Sequence, residues 1–385
     1  MKKLISVSLL LSLMLGLSAC GAASSSIASP EAQTTAAAVE ANAVPEPEEA
    51  TEPAVDKLDE MIARMSLEEK VGQMFFARCP DENAAETAAE YHLGGYVLFG
   101  RDFENLTADE VRANIQSYQD ASKVPMLIGV DEEGGEVNRV SLYLRDTPFL
   151  SPKEYYADGG WEAVTAAETE KADLLLSLGI NVNLAPVCDI TTDSSQFMYL
   201  RSFSENADEV SEFASRTVSI YKEKKLGSTL KHFPGYGDNV DTHTGIARDT
   251  RSYSEFLSKD FKPFEAGVKA GADCVLVSHN IMECIDDEQP ASLSDKVHQT
   301  LRDTLQFKGV IVTDDLIMEA ITDYTGADTA AVAAVKAGND MLCCSDLENQ
   351  YPAVVEAVRN QEIPMPQIDR SVRRVLQWKQ SLNLI

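Results

Sequence analysis

The chain has 385 residues, 62 of them Asp or Glu against 33 Lys or Arg, for a formal net charge of −29 at pH 7. Such an acidic chain argues against nucleic acid or an anionic surface as the partner, and it says nothing about the fold. Past the first twenty residues no stretch is long and apolar enough to span a bilayer.

Taken from the start, Lys2 and Lys3 precede an uncharged apolar run from Leu4 to Leu17. The run is short for a membrane span and has the layout of an export signal. It ends in Leu17-Ser18-Ala19-Cys20, small residues before a cysteine, as in a bacterial lipobox. The expectation is a signal peptide over 1–19, cleavage before Cys20, and a lipid on its thiol. An ordinary signal peptide with a chance cysteine is the other reading. Residues 20–55 are rich in Ala, Ser, Thr, Pro and Glu, with no Lys or Arg between Gly21 and Val55. Such a segment has little apolar bulk to bury and reads as a disordered tether.

Residues 56–385 form one predicted catalytic domain, long for a domain but ordinary for an α/β barrel of roughly 250 residues or more. Ser66-Leu67-Glu68-Glu69 reads as the start of a capped helix. Eight apolar runs then read as strands: Val71–Ala77, Gly95–Phe99, Met126–Val130, Asn181–Ala185, Ser228–His232, Cys274–Ser278, Val310–Thr313 and Met341–Cys344. Helical spacing lies between them over Ala163–Leu178, Ala207–Lys224, Ser254–Ala270 and Ala327–Ala337. Continuous apolar strands alternating with one-sided helices predict an α/β fold with a parallel sheet. Eight repeats point to a closed (β/α)8 barrel of the TIM type, although a doubly wound open sheet gives a similar string. The six later cysteines, Cys79 to Cys344, lack CxxC spacing and read as buried free thiols.

Polar residues collect just after the apolar runs: Asp131, Asp189, Lys231 and His232, Ser278 and His279, Asp314 and Asp315. In a barrel these are the C-terminal strand ends, where active sites are built. Three segments carry chemistry. Lys231 to His243 starts at a strand end and runs into a loop with Asp241 and His243 two residues apart. An Asp accepting a ring N–H makes the other nitrogen a better base, so the pair suits proton transfer near neutral pH. Ordinary loops also contain Asp-x-His, and a metal site is a reading that neither spacing nor clustering supports. Val310 to Met318 places Asp314 and Asp315 at a strand end, where one carboxylate suits a nucleophile and the other a helix N-cap. Gly129 to Gly135 sets Asp131 before paired glycines, and Arg139 and Arg201 add donors for sugar hydroxyls or an acetamido carbonyl. Each arginine alone also fits a surface ion pair.

Together these motifs resemble family 3 glycoside hydrolases of the β-N-acetylglucosaminidase type. The resemblance runs from about Leu67 to Gln377. Its motifs, in family order, are Gly94–Gly100, Asp131–Arg139, Asn183–Val187, Arg201–Ser204, Lys231–His243, Thr313–Leu316 and Ala337–Met341. The resemblance implies a retaining mechanism through a covalent glycosyl-enzyme. Asp314 would be the nucleophile, His243 the acid/base and Asp241 its dyad partner. Asp131, Arg139, Arg201, Lys231 and His232 would bind the terminal sugar. It implies no metal or organic cofactor, and a substrate with terminal β-linked N-acetylglucosamine in muropeptides or chitooligosaccharides. The lipid anchor would be the only tie to the membrane, outside the cytoplasm. Two positions depart from the family: Tyr236 stands where a second histidine is usual, and Glu136 where an arginine commonly follows the glycine pair. Glu136 would repel an anionic aglycone. The competing expectations are a family 3 phosphorylase, a β-glucosidase, which the Asp241/His243 pair disfavours, and a sugar-binding transport lipoprotein.

Overall fold

A helix opened by Ser66 comes first. The Ser66 side chain accepts from the Glu69 amide while the Glu69 carboxylate takes the Ser66 amide, the reciprocal cap expected from the sequence. A computed structural model describes residues 56–239, 245–325 and 327–385, all in one compact unit. The proposed signal peptide, Cys20 and the tether lie outside the described residues.

Eight strands form the central sheet: β1 Phe75–Arg78, β2 Gly95–Leu98, β3 Leu127–Val130, β4 Val182–Asn183, β5 Gly227–Phe233, β6 Cys274–Val277, β7 Val310–Thr313 and β8 Leu342–Cys344. All pair in parallel and in chain order from β1 to β7, and β8 pairs with β1. A parallel bridge between Val312 and Met341 joins β7 to the start of β8 and closes the barrel. The closed barrel, not the open doubly wound sheet, is therefore the architecture. Closure leaves the strands no free edge.

The barrel is filled from inside by Phe76, Val97, Leu127, Val182, Leu184, Leu276, Val310, Val312 and Met341. The Phe76 ring lies where β2 and β3 carry glycines. A Cβ on Gly129 would sit 2.4 Å from Phe76 Cζ, and one on Gly95 2.8 Å from Cδ2. The last helix, Met365–Ser381, packs Val375 and Trp378 into the same cluster. A Cβ on Gly227, at the start of β5, would meet Trp378 Nε1 at 2.9 Å, so this helix plugs the N-terminal end.

Most strand ends shift by one or two residues, and three elements differ more. Val71 to Gln73 belong to the helix Leu67–Gln73, and β1 begins only at Phe75. All three helical residues are buried, which gave them the look of a strand. The helix predicted over Ser254–Ala270 is two helices, Tyr253–Ser258 and Phe261–Ala270. Pro263 has no amide hydrogen to donate and is tolerated only in a first turn, so a second helix starts just before it. The helical stretch before β4 begins earlier, at Pro152, and bends at Gly159 and Gly160. The thiols of Cys79, Cys188, Cys274, Cys284, Cys343 and Cys344 are unpaired.

Candidate active site

Two asparagines fix the strand ends that carry the site. Asn181 accepts from the Ile128 amide and donates to the Met126 carbonyl, stapling β4 to β3. Asn183 does the same one step higher, with the amide and carbonyl of Glu132. Its amide nitrogen also meets the Tyr221 hydroxyl, which donates to Glu168 at 2.6 Å. The hairpin Glu132–Gly134 with Val137–Asn138 is thus held from behind by buried groups.

Glu132 is fully buried and acts as a template for the next turn. Its carboxylate accepts from the amides of Arg139, Val140 and Ser141 and from the Ser141 hydroxyl. Arg139 therefore leaves the hairpin in a fixed direction. Its Nε is buried without a protein partner among the described residues.

Asp131, Glu133, Arg139, Arg201, Lys231, His232 and Asp314 line one cavity of about 180 Å³ at the C-terminal strand ends. Phe99, Phe197, Tyr236, Leu276 and Met318 supply apolar wall. A larger cavity of about 280 Å³ lies among Met65, Ala88, Leu93 and Val124, on the helical layer, and gathers no comparable set of acids and bases.

Lys231 is buried at the centre of the floor. Its ammonium pairs with Asp131 and, at 2.6 Å, with Glu133. Burial alone would lower the lysine, but the carboxylates of Asp131 and Glu133 outweigh it and hold its proton more firmly than usual. Glu133 also takes two bonds from Arg201, at 2.8 and 2.9 Å. Burial would raise Glu133, yet the charges of Arg201 and Lys231 win and keep it ionised well below the usual carboxylate range.

His232 is set by Asp189, a fully buried carboxylate that accepts from its amide and lies 2.7 Å from Nδ1. Arg201 Nη2 stands 3.3 Å from Nε2. Because arginine only donates, Nε2 accepts and the ring proton sits on Nδ1. The second Asp189 oxygen accepts from the Tyr236 amide at 2.8 Å, so one carboxylate orients both rings. Tyr236 is buried and meets His232 and Phe197 edge to face, at 5.4 and 5.1 Å.

Both acids of the pair line the cavity, but their hydrogen bonds differ. Asp314 accepts from the Asp315 amide at 2.9 Å and lines the cavity. Asp315 reaches across to the Ser345 hydroxyl and amide and to the Ile317 amide. The expected helix N-cap is not its role, since the next helix begins only at Glu319. It ties the end of β7 to the chain leaving β8. Burial, with the Asp314 charge adding to it, pushes the Asp315 carboxyl above its ordinary range. His279, another strand-end group, is buried between the Ser292 hydroxyl and the Asp315 carbonyl, so it supports this turn.

Asp241 and His243 lie outside the described residues. The chain that leads to them is firmly anchored. Asp238 accepts from the Thr191 and Thr192 hydroxyls and the amides of Thr192 and Asp193, and these bonds hold its carboxyl at about 2 against the cost of burial. Sequence reasoning missed Glu133 as a member of the site, and it marked Asp189 as a strand-end residue without giving it a role. Glu133 could have been found by its spacing, two residues beyond Asp131 on one extended segment. Asp189 carried the strand-end signal, but its work of orienting His232 and Tyr236 shows only in the fold.

The pattern of the glycosyl hydrolase family 3 N-terminal domain matches residues 66–378. A beta-hexosaminidase of Idiomarina loihiensis is 34% identical over 267 residues, covering 66% of this chain and 77% of that protein. A solved family 3 beta-N-acetylglucosaminidase from Paenibacillus sp. str. FPU-7 superposes with a TM-score of 0.77 at 30% identity. That match covers 83% of this chain but 63% of the other, so this chain spans under two thirds of that longer protein. A beta-N-acetylhexosaminidase from Beutenbergia cavernae superposes at 0.73 and 26% identity, covering 83% of this chain and 99% of that one. The matched region contains every barrel strand and the whole described cavity, and the chain belongs to glycosyl hydrolase family 3.

Proposed function

We propose that this β-N-acetylhexosaminidase is a retaining exo-enzyme that removes terminal β-linked N-acetylglucosamine from cell-wall fragments or chitooligosaccharides, outside the cytoplasm. The observation that carries the reading is the cavity floor, where Asp314 stands with Asp131, Lys231, His232, Arg139 and Arg201 in a space of about 180 Å³, the size of one sugar ring. Such a closed-ended space fits a chain end better than a mid-chain segment.

In this mechanism Asp131 accepts from sugar hydroxyls, and Lys231, Arg139 and Arg201 donate to them. An Asp314 oxygen attacks the anomeric carbon as its bond to the leaving oxygen breaks. His243, oriented by Asp241, gives its proton to that oxygen. Water then attacks the glycosyl–Asp314 ester, His243 takes the water proton, and the carboxylate is released. The Asp314 carboxylate beneath the ring stabilises the oxocarbenium-like transition state before the covalent bond forms.

The test is hydrolysis of nitrophenyl β-N-acetylglucosaminide, beside the β-glucoside, by wild type and Asp314→Asn. The acetamido substrate alone should be cleaved, and the variant should lose about three orders of magnitude or more in kcat. Glucoside cleavage at equal rate would overturn the sugar preference. Product of inverted anomeric configuration would overturn the covalent route. Acceleration by inorganic phosphate with release of the sugar 1-phosphate would make the enzyme a phosphorylase. Tight oligosaccharide binding without turnover would favour a transport lipoprotein.

A further inference from the structure

Two exposed apolar side chains lie on the chain that leaves the sugar cavity at Arg139. Glu132 fixes the turn at Arg139–Ser141, and the short helix Ser141–Leu144 hangs directly from it. This helix presents Leu142, 53% exposed, and Tyr143, 39% exposed, on a strongly acidic chain. Tyr143 lies over Gly100. A Cβ there would come within 3.3 Å of its Cε2 and 3.5 Å of its hydroxyl oxygen, so the missing side chain is what lets the ring approach the backbone. Gly100 directly follows Phe99, which lines the cavity, and Arg139 lines it from the other side. Tyr143 is therefore flanked by two segments that both enter the site, and it stands outside the floor.

The tip of the hairpin adds a sign. Glu136 is exposed and directly precedes Val137, another cavity-lining residue. Lys231 and Arg201 are already paired with Asp131 and Glu133, and Arg139, the third cation lining the cavity, is assigned above to the hydroxyls of the first sugar, so the three offer little to a charged leaving group.

From this arrangement we propose that Tyr143, seated on Gly100, is the platform of a leaving-group subsite for an uncharged pyranose, and that Glu136 disfavours an anionic one. A pyranose presents a flat face of C–H groups that packs on an aromatic ring, and an acidic rim repels a carboxylate. The proposal rests on the reading of the site given above. It deepens that reading by choosing a neutral chitooligosaccharide over a lactyl-bearing muramyl sugar.

The test compares kcat/KM on chitobiose with that on the β-azide of N-acetylglucosamine, whose leaving group is too small to reach Tyr143. In Tyr143→Ala the chitobiose-to-azide ratio should fall about tenfold, the loss expected when one apolar ring face goes uncovered. Tyr143→Phe should restore it. Because Tyr143 is partly exposed, its removal should leave the azide rate near wild type. Equal losses on both substrates, or an unchanged ratio, would overturn the platform. Wild type should cleave chitobiose at least tenfold faster than N-acetylglucosaminyl-β-1,4-N-acetylmuramic acid, and Glu136→Gln should narrow that gap. Equal or faster cleavage of the muramyl disaccharide would overturn the neutral aglycone. Failure of wild type on azide and chitobiose alike would instead refute the enzyme reading beneath it.

Discussion

At the scale of single residues, the site is a chain of opposite charges taken out of water. Glu133 sits between Arg201 and Lys231, and Lys231 in turn between Glu133 and Asp131. Such an arrangement keeps cations rigid at the floor, at the cost of making each partner indispensable. Truncating one member of a buried ion pair strands the other. Glu133→Ala should lower unfolding stability by about 3–5 kcal/mol, measured by urea denaturation, and raise KM as Arg201 and Lys231 lose their common anchor. A wild-type midpoint in the variant would show that the cluster is not coupled this way. Asp131, Lys231, His232, Arg139 and Arg201 were legible in the sequence because each sits where an apolar run ends or where a family motif repeats. Glu133 was not picked out, and Asp189 was marked only as a strand-end residue, because their work is to hold other side chains. Only the fold shows that Asp189 reaches both His232 and Tyr236.

At the scale of elements, the strands were legible wherever four or more buried residues ran together, as in Val310–Thr313, and the helix Ala207–Lys224 was read to the residue. Misreadings arose where a buried helix looked like a strand and where Pro263 divided a long helix. The last helix hides a charge-bearing group that periodicity could not reveal. Lys379 is fully buried with Gln73 as its hydrogen-bond partner at 2.6 Å, and burial brings its ammonium down to about 7. In the unfolded chain it keeps its ordinary value of 10.5. Between these values the unfolded state holds the proton and the folded state does not, so stability rises with pH from about 7 to about 10.5. Below the window both states are protonated and the full cost of burial is present. Lys379→Met should therefore raise Tm most at pH 6, by the equivalent of roughly 5 kcal/mol at most, with the gain shrinking by pH 10. Thermal melts across that range check it; a gain independent of pH would point to packing alone.

At the scale of the whole molecule, the barrel gathers at one end the residues that the sequence scatters from Asp131 to Asp314. The other end is closed by Trp378. We infer that Cys20 carries a lipid and that 20–55 tethers the barrel to the outer side of the membrane, on the strength of the n-region, apolar run and small residues before Cys20. In a bacterial host, wild type should sediment with membranes and Cys20→Ser should not. Equal release of both would remove the anchor from the reading. The net charge of −29 fits that inference, since an anchored acidic barrel would be repelled by anionic headgroups.

The ring of Phe76 fills space in the barrel that its neighbours Gly95 and Gly129 leave open. Three positions on three strands thus share one volume. None of them can drift by itself: a larger residue at 95 or 129 collides with the ring, and a smaller one at 76 leaves a void that costs about 3–5 kcal/mol. Phe76 and Gly129 should therefore change together or not at all. Shrinking the ring would make room at Gly129 alone, because at Gly95 the Leu127 carbonyl oxygen, 2.4 Å from where a Cβ would sit, bars a side chain whatever stands at 76.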